Sequence, residues 1–178
     1  MDRMNRRPRI ATVWLDGCSG CHMSMLDMDT AIIPLSPRID IVYGPLVDAQ
    51  EFPEDVDITL VEGAASSEDD LKKIREIRAR TRVLISMGDC AVTGNVPVMR
   101  NVIPVKGLLQ SIYIDGAESQ KLIPSQAVPR LLRQARPLRE FVKVDYWLPG
   151  CPPSPAAILG LITNLVEGRS PEATAKFG

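Results

Sequence analysis

The stretch Trp14-Leu15-Asp16-Gly17-Cys18-Ser19-Gly20-Cys21-His22 decides how the fold of this chain is interpreted. It closes a short apolar run, residues 9–15, whose β-branched and aromatic residues are typical of a buried strand. From residue 22 to residue 33 the apolar residues follow a helical spacing, which ends at Pro34. The stretch therefore predicts a strand, a loop with two cysteines and a helix, in this order.

Further strands and helices alternate along the chain outward from this stretch. Apolar runs predict four more strands, at residues 40–43, 57–61, 82–86 and 142–148. Helices are predicted after the capping sequence Ser66-Ser67-Glu68-Asp69-Asp70, at residues 128–134, and from Pro155 to Val166. This alternation predicts an α/β fold: a flavodoxin-like, doubly wound, mainly parallel sheet with helices on both faces.

The whole chain, residues 1–178, is predicted to form a single flavodoxin-like domain. Its length and its hydrophobic content of 45% suffice for one core. Residues 93–126 are rich in glycine and proline, and we expect an irregular excursion there. Residues 1–8 and 168–178 are expected to be peripheral arms.

Charge and hydropathy argue against two classes of partner. The 21 Lys and Arg residues balance 22 Asp and Glu residues, and the formal net charge of -1 gives no basic field for nucleic acid or for an anionic membrane. No apolar run approaches the roughly 20 residues of a membrane helix, and no apolar signal region follows Arg6-Arg7. We therefore expect a cytoplasmic protein, in which cysteines bind metals or react more often than they form disulfides.

All four cysteines directly follow predicted strands. Cys18 and Cys21 follow the first strand, Cys90 the fourth and Cys151 the fifth, and Glu62 follows the third. The carboxyl ends of parallel strands share one edge of a sheet, where ligands bind. We therefore expect these residues to converge despite their separation in the sequence.

Three kinds of chemistry remain open for such a set of cysteines. A structural zinc site needs four thiolates but usually takes them from two close pairs. A thiol oxidoreductase would use Cys18 and Cys21 alone, and Cys90 and Cys151 would then be small buried residues. A [4Fe-4S] cluster would use all four thiols, with close backbone approach at the glycines that flank them.

Taken together in this order, the motifs of the chain resemble the small, electron-transferring subunit of nickel-iron hydrogenases. The resemblance is closest to the cytoplasmic NAD-reducing, bidirectional class, and it spans residues 9 to about 166. The motifs that carry it are Trp14-Leu15, Cys18 with Cys21, Glu62-Gly63, Gly88-Asp89-Cys90 and Pro149-Gly150-Cys151-Pro152-Pro153.

The resemblance implies that Cys18, Cys21, Cys90 and Cys151 ligate one proximal [4Fe-4S] cluster. The chain would relay electrons between the nickel-iron site of a large subunit and a diaphorase module that carries flavin and iron-sulfur clusters. It would thus serve a hydrogen:NAD oxidoreductase complex without carrying the hydrogen-activating site itself. The sequence ends soon after Cys151, which leads us to expect a single cluster.

Two alternatives accompany this interpretation. A related subunit of respiratory complex I transfers electrons to quinone, but it has adjacent cysteines where this chain has the spaced pair Cys18 and Cys21. A zinc-stabilised scaffold that only organises partners is the other alternative. A flavin in this chain is disfavoured, because the cluster would take the same sheet edge and only three Phe, three Tyr and two Trp are available.

Asp16, Glu62 and His22 are weaker candidates for a proton or interface role. His22, the single histidine, is expected to support the cluster from beside Cys21 and not to ligate it. Glu62 is a candidate for the partner interface or for capping the next turn. Membrane-bound relatives carry a Glu directly before the first cysteine, whereas this chain has Gly17, so Asp16 is expected to be a plain strand-end residue.

Overall fold

A computed structural model describes residues 6–171. Within this range the chain forms seven strands: β1 (Arg9–Trp14), β2 (Asp40–Tyr43), β3 (Val56–Glu62), β4 (Ala65–Ser67), β5 (Thr81–Met87), β6 (Leu131–Arg136) and β7 (Tyr146–Leu148). The same range contains six α-helices: α1 (Gly20–Leu26), α2 (Glu68–Arg80), α3 (Asp89–Thr93), α4 (Asn95–Val98), α5 (Val105–Gln110) and α6 (Pro155–Val166).

Five of the strands form one parallel sheet in the order β2-β1-β3-β5-β7. If the five strands of this sheet are numbered in chain order, their spatial order is 2-1-3-4-5, which is the order of flavodoxin-like folds. The order changes direction between β1 and β3, because β2 lies on one side of β1 and the later strands lie on the other. The predicted doubly wound parallel sheet is confirmed.

Apolar side chains on the two faces of the sheet form two cores. Ile58 and Leu60 of β3 pack in one core with residues of α1 and α6, while Val61 packs in the other with residues of α2 and α3. Successive strand residues point to opposite faces, so a strand covered on both faces needs a continuous apolar run. The helices cover both faces, as predicted.

Two helices begin as their sequences predict. Oγ of Ser67 accepts the backbone N–H of Asp70 at 3.1 Å, and the Asp70 carboxylate accepts the N–H of Ser67 at 2.9 Å, which completes a capping box. Pro155 occupies the first turn of α6, and the side chain of Ser154 caps that helix. Both predicted helix starts are confirmed.

Two predicted helices differ from the structure. The helix predicted at residues 128–134 is wrong, because residues 131–136 form β6, which pairs antiparallel with β4. This pairing joins distant parts of the chain, so no local pattern reveals it. The helix predicted from residue 22 to residue 33 divides into α1 and a 3-10 turn at Asp29–Ile32, and a left-handed Asp29 lies at the break.

The last strand of the sheet is shorter than its sequence pattern predicts. β7 keeps three residues of the predicted strand at 142–148. Directly before it, the Asp145 carboxylate accepts the backbone N–H of Leu84 at 2.8 Å and pairs with Arg78 at 2.6 Å. The backbone N–H of Asp145 also donates to the carbonyl of Leu84 at 2.9 Å, so Asp145 bonds to β5 through both its side chain and its backbone at the point where β7 begins.

The excursion at residues 93–126 contains short helical segments. α4, α5 and a π-helical turn at Ser111–Asp115 lie there, together with stretches that have no regular structure. Of the predicted arms, residues 1–5 and 172–178 lie outside the described residues. No helix between residues 6 and 171 is long and apolar enough to cross a membrane.

Candidate metal centre

The carboxyl ends of β1 and β3 form the switch point of the sheet. Doubly wound sheets bind ligands outside the carboxyl ends of their strands, at such a point. The loop with Cys18 and Cys21 leaves β1 here, and Glu62 is the last residue of β3. Cys90 and Cys151 follow β5 and β7 at the same edge. The structure therefore brings the four predicted cysteines to one edge of the sheet.

The four thiols are free and interact electrostatically with one another. Burial, followed by the negative charges of Glu62, Cys90, Cys18 and Cys151, raises the pKa of Cys21 to about 12. Burial is also the main cause that raises the pKa of Cys90. Thiolates gathered in this way repel one another, and a bound metal centre would compensate their charge.

Backbone hydrogen bonds tie the loop after β5 to the loop after β7. The N–H of Gly88 donates to the carbonyl of Leu148 at 2.8 Å, and the N–H of Asp89 donates to the carbonyl of Gly150 at 2.9 Å. In return, the Asp89 carboxylate accepts the N–H of Gly150 at 2.7 Å. These bonds hold the two loops, and the cysteine on each, at a fixed separation.

Two glycines leave space beside the thiols that a side chain would fill. Gly88 has a φ of +83°, and a Cβ there would collide with the sulfur of Cys21. Gly150 has a φ of +135°, and a Cβ there would lie 2.6 Å from Cα of Pro153. Only glycine adopts such backbone conformations without strain. The space beside Gly88 and Gly150, together with the four thiols, fits a bulky, thiolate-ligated inorganic group.

The four thiols are not gathered as tightly as a single metal ion requires. Thiolates on one zinc ion have Zn–S distances of about 2.3 Å and therefore lie roughly 4 Å from one another. Among residues 6–171, no three His, Cys, Asp or Glu side chains lie close enough to hold a metal ion between them.

Glu62 is a buried carboxylate that holds the start of α1. It is 1% exposed. One carboxylate oxygen accepts the N–H of His22 at 3.0 Å and lies 2.5 Å from Nδ1 of that residue, while the other accepts the N–H of Cys21 at 3.4 Å. Burial opposes ionisation, but the hydrogen bonds and charge of His22 outweigh it and lower the pKa of Glu62. Glu62 thus positions the loop of Cys21 from inside the protein.

His22 lies against this carboxylate, between the thiols and an apolar cavity. Its Nδ1 pairs with Glu62, and its Nε2 is buried without a hydrogen-bond partner among the described residues. The residue also lines a cavity of about 410 Å³, which lies between α1 and the β1–β2 side of the sheet. This placement fits the expected supporting role beside Cys21.

Asp16 extends β1 through a backbone bridge. Its N–H donates to the carbonyl of Ala64 at 3.1 Å, and its carbonyl accepts the N–H of Ala64 at 2.8 Å. A Cβ at Gly17 would lie 3.2 Å from Cα of Gly63 and 3.6 Å from a carboxylate oxygen of Glu62. A side chain at position 17 would therefore begin close to the backbone of Gly63 and to the buried Glu62. The geometry fits Asp16 as a strand-end residue.

The sequence interpretation missed two residues beside the cysteines. Asn95 donates its Nδ2 to Sγ of Cys151 at 3.5 Å. Ser24 of α1 donates its hydroxyl to the carbonyl of Pro153 at 2.5 Å and so joins α1 to the loop after β7. The Gly94-Asn95 pair is a turn sequence that could have indicated the first residue. No local signal indicates the second.

A family model and two curated relatives match most of the chain. Residues 18–165 match the family described as NADH ubiquinone oxidoreductase, 20 Kd subunit. A subunit of the F420-non-reducing hydrogenase vhu of Methanocaldococcus jannaschii is 38% identical over 171 residues, which are 95% of this chain and 59% of that relative. The NAD-reducing hydrogenase HoxS subunit delta of Cupriavidus necator is 39% identical over 166 residues, which are 90% of this chain and 79% of that relative.

Solved structures of hydrogenases share the fold. The NAD+-reducing [NiFe]-hydrogenase in the H2-reduced state matches with a TM-score of 0.90 at 35% identity, over 97% of this chain and 100% of that chain. A [NiFeSe]-hydrogenase of Dm. baculatum matches with a TM-score of 0.58 at 18% identity, over 92% of this chain and 62% of that chain, which shows the fold alone. The resemblance to hydrogenase small subunits is thereby confirmed, and the chain belongs to the family of the NADH ubiquinone oxidoreductase 20 Kd subunit.

Proposed function

We propose that this chain is the electron-transfer small subunit of a nickel-iron hydrogenase, and that Cys18, Cys21, Cys90 and Cys151 hold one [4Fe-4S] cluster. The observation that carries the proposal is the convergence of four free thiols at the switch-point edge of a flavodoxin-like sheet. Four thiolates are the ligand set that such a cluster takes.

The residues around the thiols suit the binding of such a group. Gly88 and Gly150 keep side chains out of the space beside the sulfurs. The Glu62 carboxylate fixes the backbone of Cys21, and Asp89 links the other two cysteine loops. When bound, the cluster would supply a one-electron carrier, and the contribution of this chain is to bind, orient and partly bury it.

The hydrogen-activating site would lie in a nickel-iron large subunit. A diaphorase module with flavin and iron-sulfur clusters would exchange the electrons with NAD. The match to the NAD+-reducing [NiFe]-hydrogenase over nearly the whole chain supports this complex. The relative from Methanocaldococcus jannaschii is named only for not reducing F420, so a shared hydrogenase function does not by itself determine the electron acceptor.

Metal analysis of the anaerobically purified full chain tests the cluster. We expect a brown protein with about four iron and four sulfide ions per chain and an EPR signal that appears on reduction. One zinc ion per chain without sulfide would contradict the proposal and favour the zinc-stabilised scaffold.

A quinone-linked electron-transfer subunit is the second candidate function. The family name, which refers to a subunit of NADH ubiquinone oxidoreductase, favours it. Both candidates place a cluster in this chain but differ in the partner. Purification of the native complex distinguishes them: we expect a nickel-containing subunit and hydrogen-dependent reduction of NAD, whereas a nickel-free complex that reduces quinone would favour the second candidate.

A further inference from the structure

The turn Gly94-Asn95-Val96 directs two hydrogen-bond donors at the thiol edge. Nδ2 of Asn95 lies 3.5 Å from Sγ of Cys151. The backbone N–H of the next residue, Val96, acts on the thiol of Cys90 and partly offsets the burial that raises the pKa of that thiol. One turn therefore reaches sulfurs that follow two different strands, β5 and β7.

The backbone of this turn has an uncommon conformation at two successive residues. Gly94 and Asn95 both have left-handed conformations, with φ values of +97° and +33°. Asparagine is one of the few residues with a side chain that adopt this region readily. The N–H of Gly94 donates to the carbonyls of Asp89 and Cys90 at 3.2 and 3.1 Å, which anchors the turn to the cysteine loop itself. The side chain of Asn95 is thus held in place by bonds on the same loop.

A donor aimed at a cluster sulfur acts differently on the two redox states of the cluster. The reduced state carries one more negative charge, so it accepts a hydrogen bond more strongly than the oxidised state does. Hydrogen bonds to the sulfurs accordingly raise the reduction potential of iron-sulfur clusters. A donor from a side chain adds to this effect and can be removed by substitution, whereas a backbone N–H cannot.

We propose that Asn95 is a positioning residue that raises the reduction potential of the iron-sulfur cluster through its hydrogen bond to Cys151. This inference rests on the proposed function, since it requires the cluster. It assigns a role in tuning electron transfer to a residue outside the four ligands.

Two substitutions at this position separate the donor from the backbone. Asn95→Gly keeps the left-handed conformation and the N–H of Val96 but deletes the side-chain donor. Asn95→Asp keeps the shape and replaces the donor with a negative acceptor. Gln120→Gly is the matched control, because Gln120 is also left-handed, with a φ of +51°, and is exposed.

Redox titration of the cluster by EPR, on the anaerobically purified full chain, measures the effect. At a fixed potential we expect the ratio of reduced to oxidised cluster to fall about fivefold in Asn95→Gly, which is the size of one typical hydrogen bond. This corresponds to about 40 mV for a one-electron couple. The ratio of reduced to oxidised cluster should fall further in Asn95→Asp, and in Gln120→Gly it should match that of the wild type.

The outcomes separate this inference from the proposed function. Absence of iron and sulfide from the wild-type chain refutes the proposed function. A full cluster with an unchanged potential in both Asn95 variants overturns the role of Asn95 alone. If neither variant assembles a cluster, the test uses wild-type chain labelled with 15N at the asparagine amides. The reduced cluster of this sample should show a hyperfine coupling to 15N. The absence of that coupling overturns the inference.

Discussion

The two halves of the thiol site are built in different ways. In the half that follows β1, Cys21 is 7% exposed and its backbone is bonded to the buried Glu62 carboxylate, which is in turn paired with His22. In the half that follows β5 and β7, Cys151 is exposed, and the loops are joined by backbone bonds and by Asp89. A buried charge stabilises the half that follows β1, whereas backbone geometry stabilises the half that follows β5 and β7.

This difference determines what a substitution costs in each half. Removal of one member of a buried, hydrogen-bonded network leaves the other members without partners, away from water. Loss of a bond in a partly exposed loop costs less, because water replaces the missing partner. Gly88, which contacts Cys21 across the site, belongs to both halves. Substitutions at five positions sharpen the comparison.

Substitution of the cysteines themselves should have the largest effect. Cys21→Ser should lose essentially all bound iron, because the ligand is buried and no solvent molecule can replace it. Cys151→Ser should retain a measurable fraction, since water or added thiol can reach an exposed ligand position. Iron and sulfide analysis after anaerobic purification checks both.

Equal loss of iron in the two variants would mean that the two halves are equivalent. Cys151→Ser also tests the thiol oxidoreductase alternative. A disulfide-exchange activity that survives unchanged in this variant would favour catalysis by Cys18 and Cys21 alone.

Gly88→Ala should destabilise the protein strongly even without metal. The added Cβ would collide with the sulfur of Cys21, and the φ of +83° disfavours alanine. Strain and overpacking together predict a loss of about 3 kcal/mol in the free energy of unfolding. Urea denaturation of the metal-free chain measures it. Gly160→Ala in α6 is the control, since a Cβ at Gly160 meets nothing within 4 Å, and it should stabilise by about 0.5 kcal/mol.

Glu62→Gln should cost less than Gly88→Ala but more than any change in an exposed carboxylate. The amide keeps the volume but weakens the bonds to the N–H groups of His22 and Cys21, and one of its donors faces a histidine nitrogen. We expect a loss of about 2 kcal/mol, again by urea denaturation. Glu118→Gln, at an exposed position, should change stability by less than about 0.5 kcal/mol. If the free energy of unfolding of Glu62→Gln equals that of the wild type, the buried charge does not stabilise this half of the site.

Asp89→Ala should have the smallest effect of the five. It removes the acceptor for the N–H of Gly150, at a half-buried position where water can substitute. We expect a loss of about 1 kcal/mol. Asp89→Asn keeps an acceptor oxygen and should stay close to the wild type. If Asp89→Ala costs more than Glu62→Gln, the second half of the site depends on side-chain bonds as strongly as the first.

Much of the fold is predictable from the sequence because the main strands are buried on both faces. Continuous apolar runs mark the buried strands β1, β3 and β5, a shorter run marks the edge strand β2, and the capping sequence before α2 acts within a few residues. β4 and β6 were not predictable, since each is stabilised by the other across a long stretch of chain. The short β7 was not predictable either, because the long-range contact of Asp145 with Leu84 directly before it leaves no local pattern.

The sequence by itself determined that four cysteines and Glu62 lie at or just after the ends of strands, and the order of elements places those ends at one edge of a parallel sheet. Only the tertiary structure decided the roles of their neighbours. The Glu62 carboxylate accepts a hydrogen bond from the backbone of α1, and the Asn95 side chain donates one to Cys151 from another loop. The physical reason is that hydrogen bonds act over about 3 Å between residues far apart in the chain, and a sequence pattern records only neighbours.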